Sequence, residues 1–214
     1  MSLASEIRDR TSRPGAYVPQ DFDIEPDLAA QYLSRLARTG WLERVGKGIY
    51  VQGDVSEEEV VKAVLRKLGE PRFIPARSAA MEELGLPVAA SDPAAITTGK
   101  GVRRYAQGIP GWVLVRRHPD RHHLTVEANL ILEAIRYRGS WPTRERRQIE
   151  EALVEYVGEQ RASAFVPALP HERPIHGEML VELADRAGWS SAQISKLNEA
   201  IEHGRELRRR SWLR

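Results

Sequence analysis

Residues 27–51 read DLAAQYLSRLARTGWLERVGKGIYV. Leu28, Tyr32, Leu33 and Leu36 recur at i, i+4, i+5 and i+8, which is one apolar face at the helical period. The opposite face carries Gln31, Ser34, Arg35 and Arg38. Asp27 stands where an N-cap belongs, and Gly40 where a left-handed residue closes a helix. Two β-prone runs follow, Trp41–Val45 and Ile49–Val51, joined by Gly46-Lys47-Gly48. Those glycines admit the positive φ angles of a tight hairpin. A helix with an arginine-bearing outer face, followed at once by a glycine-tipped ribbon, has the order of a winged helix-turn-helix. Such a helix suits a major groove, and such a ribbon can lie along phosphates. The same polar face would also suit an ordinary solvated helix. The hairpin directly behind it is what favours the winged-helix reading.

The chain has 214 residues, long enough for one large domain or two modest ones. Hydrophobic residues make up 42% and charged residues 29%, the balance of a globular protein. No apolar run approaches a membrane-spanning length, and the N-terminus lacks the basic-then-apolar pattern of a signal peptide. The absence of cysteine excludes disulfides, thiolate metal sites and a cysteine nucleophile. A cytoplasmic location is expected.

Net charge is only +2, so its distribution is more informative than its total. Residues 1–55 carry seven bases against eight acids, 56–100 six against seven, 101–150 ten against five, and 151–214 nine against ten. The basic excess therefore lies in the middle of the chain. Within the first segment the acids gather early (Asp21, Asp23, Glu25, Asp27) and the bases late (Arg35, Arg38, Arg44, Lys47). So neutral a module gains little from phosphate neutralisation, and dimerisation or sequence readout would have to supply the rest.

Upstream, residues 3–12 form a candidate helix on Leu3 and Ile7, and Arg13-Pro14-Gly15 ends it. Ala16-Tyr17-Val18 is a strand candidate, and Pro19 opens a short helix that turns Phe22 inward. Helix, strand, short helix, helix, hairpin completes the winged-helix order. GAYVPQDF followed by YLSRLARTGWLERVGKGIYV resembles the N-terminal module of the AbiEi-type antitoxins of bacterial type IV toxin–antitoxin systems, in their short branch. Gly15, Tyr17, Pro19, Phe22, Leu36, Gly40, Gly46, Gly48 and Tyr50 fit that pattern. The helix Ser56–Gly69, the alanine-rich stretch Ile74–Leu86 and the strand Ala95–Gly99 continue it, to about residue 140. The resemblance implies an autorepressor of its own operon. It also implies an antitoxin that counteracts a nucleotidyltransferase toxin encoded beside it without forming a stable complex.

Val60, Val61, Val64, Leu65 and Leu68 give the Ser56–Gly69 helix a buried stripe, and Ser78–Leu86 reads as a shorter helix. Ile96–Thr98 and Trp112–Arg116 read as strands joined by Gly99–Gly111, where Gly99-Lys100-Gly101 suits a turn better than a phosphate loop. Lys100, Arg103, Arg104, Arg116, Arg117 and Arg121 form a candidate second basic patch, unless they pair with the acidic helices. His118, His122 and His123 lack a cysteine or carboxylate partner at ligand spacing, so neither metal nor cofactor is expected. Thr125–Arg138 is a largely apolar helix, Thr143 a cap for a helix to Val157, and Ala164–Pro174 a connector. Glu178–Ala187 and Ser191–His203 flank Gly188-Trp189-Ser190, an αα-hairpin in preference to a second helix-turn-helix that would offer Gln193, Lys196 and Asn198. The basic tail RELRRRSWLR, with Trp212 and Leu213, reads as a frayed end in narrow preference to a phosphate clamp. Glu58-Glu59 and Glu150-Glu151 sit on helix faces without sign of burial, and no serine stands in a nucleophile elbow, so no enzyme is expected.

The fold expected is α+β: a winged helix-turn-helix over 1–54, then a mostly helical region over 55–214 with a small β-sheet. That second region would serve antitoxin action or dimerisation, with a boundary near 160–174 to a C-terminal helical hairpin. Gln31, Ser34 and Arg35 would face base edges of double-stranded operator DNA, while Arg38, Arg44 and Lys47 would hold phosphates. Two other functions stay open: a stand-alone regulator with no toxin, and an interaction module that keeps the winged helix as scaffold.

Overall fold

The computed structural model describes residues 2–69, 74–88, 94–98 and 112–212. The protein is α+β, and its contacts group into two compact units, Met1–Phe73 with Thr98–Arg116, and Ile74–Thr97 with Arg117–Arg214. No described helix is long and apolar enough to cross a membrane.

In the first unit α1 (Leu3–Arg10) is capped by Ser2 and leads to strand β1 (Gly15–Tyr17) and a 3-10 turn at Pro19–Asp21. Asp21 accepts a hydrogen bond from the Val18 N–H at 2.9 Å, which fixes the entry to that turn, and Phe22 is buried behind it. Helix α2 (Pro26–Arg38) starts two residues earlier than an Asp27 cap implies. Pro26 takes its first position and Glu25 the cap without a side-chain bond, leaving Asp27 in the first turn as a favourable charge. Its buried positions are Ala29 and Leu33, with Tyr32 and Leu36 packed beside them, whereas Leu28 is exposed. The stripe is therefore rotated from the expected one, with Ala29 fully buried and Leu28 exposed. A buried leucine such as Leu33 contributes about 1.5–3 kcal/mol.

Gly40 has φ +78°, and behind it the Trp41 N–H donates to Leu36 O while the Gly40 N–H donates to Ala37 O. This left-handed closure turns the chain directly into the hairpin of β2 (Glu43–Gly46) and β3 (Ile49–Gln52). Trp41, expected in a strand, instead packs on the core with its Nε1–H donating to Thr11 Oγ1 at 3.2 Å. The sheet order is β1-β3-β2, all antiparallel, with Tyr17 opposite Tyr50 and a register shift between Arg44 and Gly46. Helix α3 (Glu57–Leu68), capped by Ser56 Oγ, packs against β1, β3 and the 3-10 turn of this same unit. It buries Val61, Ala63, Val64, Leu65 and Leu68.

Strand β4 (Pro75–Ala76) pairs antiparallel with β5 (Ala94–Thr98), Pro75 opposite Ile96. Helix α4 (Ser78–Glu83) is shorter than read, and β6 spans Trp112–Arg116. The centre of the second unit is α5 (Val126–Arg136), capped by Thr125 and buried from Ala128 to Ile135, against which α4, α6 (Arg146–Gly158) and α7 (Pro174–Arg186) pack. Thr143 does not cap α6; residues 143–145 form a turn and Glu145 precedes the helix. Helix α8 runs from Ser191 to Trp212, so the tail expected to fray is helical through Trp212. Arg208 holds it by donating to Pro170 O and Glu172 O, and Arg205 pairs with Glu178. Gln193 accepts from the Ser190 N–H at 3.1 Å, a capping role that takes it out of base reading.

Candidate nucleic-acid interface

Helix α2 and the hairpin enclose a concave groove of about 580 Å³. Gln31, Ser34, Arg35, Arg38, Arg44 and Lys47 all line it, together with Gln20, Asp27, Tyr50 and Lys67. The helical period explains the first four, which lie on consecutive turns of the face opposite Ala29 and Leu33. The hairpin supplies the next two. Gly48 has φ +67° at its tip, a left-handed conformation that favours glycine, and the Lys67 ammonium lies over the space a Cβ would take. Arg44 Nε donates to Gly46 O at 3.2 Å across the register shift, which steadies the bend of the ribbon. The Arg35 guanidinium lies 5.5 Å over the Tyr32 ring, an arrangement that limits its rotamers without neutralising it.

The charge of this face differs from that of the unit as a whole. Arg66 takes Asp21 with two bonds of 2.8 and 3.1 Å, Arg10 stands 3.8 Å from Asp23, and Lys62 pairs with Glu58. Among the described residues none of Arg35, Arg38, Arg44 and Lys47 is in an ion pair. Folding thus pairs Asp21, Asp23 and Glu58 away from the groove, and leaves Arg35, Arg38, Arg44 and Lys47 around it in no ion pair among the described residues.

Lys67 is the groove residue that the sequence did not offer. It comes from α3, beyond the hairpin, and its ammonium donates to Lys47 O. Burial lowers its pKa from the ordinary lysine value, and the charges of Lys47 and Arg44 lower it further. Three cations held this close, one of them partly desolvated, form a place where an oxyanion would be welcome. The groove therefore offers an amide, a hydroxyl and two guanidiniums on a helix face, with a cluster of positive charge at one end.

The candidate basic patch is not assembled in the same way. Lys100, Arg103 and Arg104 lie outside the described residues. Arg116 is exposed, but Arg117 turns inward and grips buried Glu133 at 2.6 and 2.8 Å, and Arg121 is buried. Burial alone would raise the Glu133 carboxyl, but Arg136 and Arg117 outweigh it and hold the pKa below the ordinary carboxylate value. Arg136 also binds Glu172, whose pKa falls to about 2 because hydrogen bonds and charge from Arg136 and His176 exceed the effect of its burial. These side chains pin α5 to the segment before α7. His118, read from the sequence without a partner, meets Asp120 and His171. The side chain of His122 lies outside the described residues, and that of His123 is exposed.

Residues 19–51 match the family model described as transcriptional regulator, AbiEi antitoxin. The match runs from the 3-10 turn through α2 to the end of the hairpin, the same stretch that carries the resemblance seen in the sequence. That description is of a regulator and antitoxin, not of an enzyme. No curated protein matches the chain. The solved structure of the Rv2827c protein from Mycobacterium tuberculosis is similar over 94% of this chain and 80% of that one, at 15% identity and a TM-score of 0.48.

Proposed function

We propose that the groove of the first unit binds double-stranded DNA upstream of the protein's own gene, so that the protein represses its operon as the antitoxin member of an AbiE-like system. The observation that carries this reading is the convergence of Gln31, Ser34, Arg35, Arg38, Arg44 and Lys47 on one groove, where among the described residues Arg35, Arg38, Arg44 and Lys47 are in no ion pair. Helix α2 would enter the major groove, with Gln31, Ser34 and Arg35 at base edges. Arg38, Arg44 and Lys47 would take phosphates on either side. The family match to residues 19–51 supports the regulatory role and, in its wording, the antitoxin role. The partner implied is a nucleotidyltransferase toxin linked by function.

A reporter driven by the protein's own upstream region tests the proposal. Supplying the protein in trans is expected to lower expression, and the Arg35→Ala, Arg38→Ala double variant to restore it at equal protein level. Unchanged expression with the unaltered protein would demote the groove to a scaffold for protein contact. Co-expression with the product of a neighbouring nucleotidyltransferase gene separates antitoxin from stand-alone regulator: rescue of growth supports the first, and persistent toxicity the second.

A further inference from the structure

We propose that His118, Asp120 and His171 form a binding site for a divalent d-block cation of the zinc class. The three come from segments 51 residues apart and are all within the second unit. His118 caps the 3-10 turn Pro119–His123, and its Nδ1 accepts from the Asp120 N–H. That same Nδ1 lies 3.4 Å from Asp120 Oδ2, while His171 Nε2 lies 2.9 Å from this oxygen. The ligand atoms of the three residues all fall within 4.8 Å of one another. A triangle with two sides of 2.9 and 3.4 Å and a third no longer than 4.8 Å has a centre about 2 Å from each corner, the length of a zinc–nitrogen or zinc–carboxylate bond.

The donor set narrows the ion. Two imidazoles and one carboxylate suit zinc, cobalt, nickel or copper, whereas magnesium and calcium prefer oxygen alone. His118 Nδ1 has a single lone pair, so binding exchanges its long 3.4 Å hydrogen bond from the Asp120 N–H for a bond to the cation, beside the carboxylate oxygen. The two rings stack with centroids 3.4 Å apart and planes within 9°, so binding tilts them from parallel toward the ion. All three side chains reach solvent, which leaves room for that tilt and for water at the remaining positions.

The backbone beneath these ligands is held from both sides. Asn129, itself buried, donates to Arg121 O at 3.1 Å and so fastens the His118–His123 turn to α5. On the other side Arg208 donates to Pro170 O at 3.2 Å and to Glu172 O at 2.8 Å, bracketing His171. Gly204 lets α8 lie directly on Pro170, since a Cβ there would strike the Pro170 carbonyl. Ligand side chains on fixed backbone, with open tips, make an exchangeable site that ties the turn before α5 to the segment before α7. This inference uses no residue of the groove and stands apart from the DNA-binding proposal.

The test uses the untagged full-length protein stripped of metal with a chelator, titrated with Co²⁺ for its visible absorption and with Zn²⁺ by calorimetry. One equivalent per chain is expected, with the cobalt bands lost in His171→Ala and in Asp120→Asn and kept in His123→Ala. Zn²⁺ should raise the melting temperature of the unaltered protein and of His123→Ala, and leave that of His171→Ala where it was. Circular dichroism of the metal-free variants establishes that they fold; should His171→Ala fail there, His118→Ala carries the same comparison. No stoichiometric uptake, or uptake that survives loss of His171 or His118, overturns the assignment.

Discussion

The two units use arginine in opposite ways. In the second, Arg136 and Arg117 are drawn against Glu133, and Arg136 reaches on to Glu172, so that two buried carboxylates are each held by arginine. In the first, Arg35, Arg38, Arg44 and Lys47 stand around a groove with no carboxylate paired to any of them among the described residues, while Asp21, Asp23 and Glu58 are taken up by Arg66, Arg10 and Lys62. A buried ion pair recovers its desolvation cost only through its partner, so its residues answer to stability. An unpaired cation at the surface adds little to stability and remains available for an external anion. Sequence composition does not separate these cases, because each is arginine among acids.

The largest effect should come from breaking the paired side of this contrast. Arg136→Met leaves Glu133 and Glu172 buried without their shared cation and should cost about 3–5 kcal/mol in urea unfolding. Arg35→Met in the groove should move the same midpoint by less than about 0.5 kcal/mol. Equal losses would erase the distinction between the two regions.

The pH dependence sharpens it further. Glu172 titrates near 2 in the folded protein against an ordinary 4.5, so its folded pKa is depressed. The stabilisation is present above the ordinary carboxylate range and is lost as pH falls from about 4.5 towards 2. Melting temperatures across that window should drop more steeply for the unaltered protein than for Glu172→Gln.

On the unpaired side the effects belong to binding. Arg35→Ala should cost about 1–3 kcal/mol in affinity for the upstream DNA and relax its specificity, as gel-shift competition would read. The smallest change is expected from Lys47→Ala, which should weaken all sequences alike and reduce the slope of log affinity against log salt by about 1. A Lys47 variant that changed sequence preference, or an Arg35 variant that did not, would exchange their roles.

Local signals carried most of the first unit. The left-handed Gly40, the glycine-tipped hairpin, and the four polar positions of α2 follow from residues a few places apart, and the groove gathers them as the spacing implies. What the sequence withheld depends on distant partners. Leu28 fits the apolar period as well as Ala29 does, and only the packing of α2 into the core of the unit decides between them. Lys67 enters the groove from α3, with no local sign that it would meet Lys47. The polar tail gave no reason to expect helix through Trp212, which rests on Arg208 reaching the carbonyls beside His171. Arg117 reads like Arg116 in a basic run, yet it is spent on Glu133, sixteen residues ahead.

The central claim is that the leftover cations of the groove exist for DNA. Binding of the purified protein to its own upstream region, against a scrambled duplex of equal length and across a salt series, tests it most directly. With Arg35, Arg38, Arg44 and Lys47 at the groove, selective binding is expected with a log–log salt slope of about −3 to −4. Binding that is absent, or equal for the two duplexes at every salt concentration, would contradict the claim.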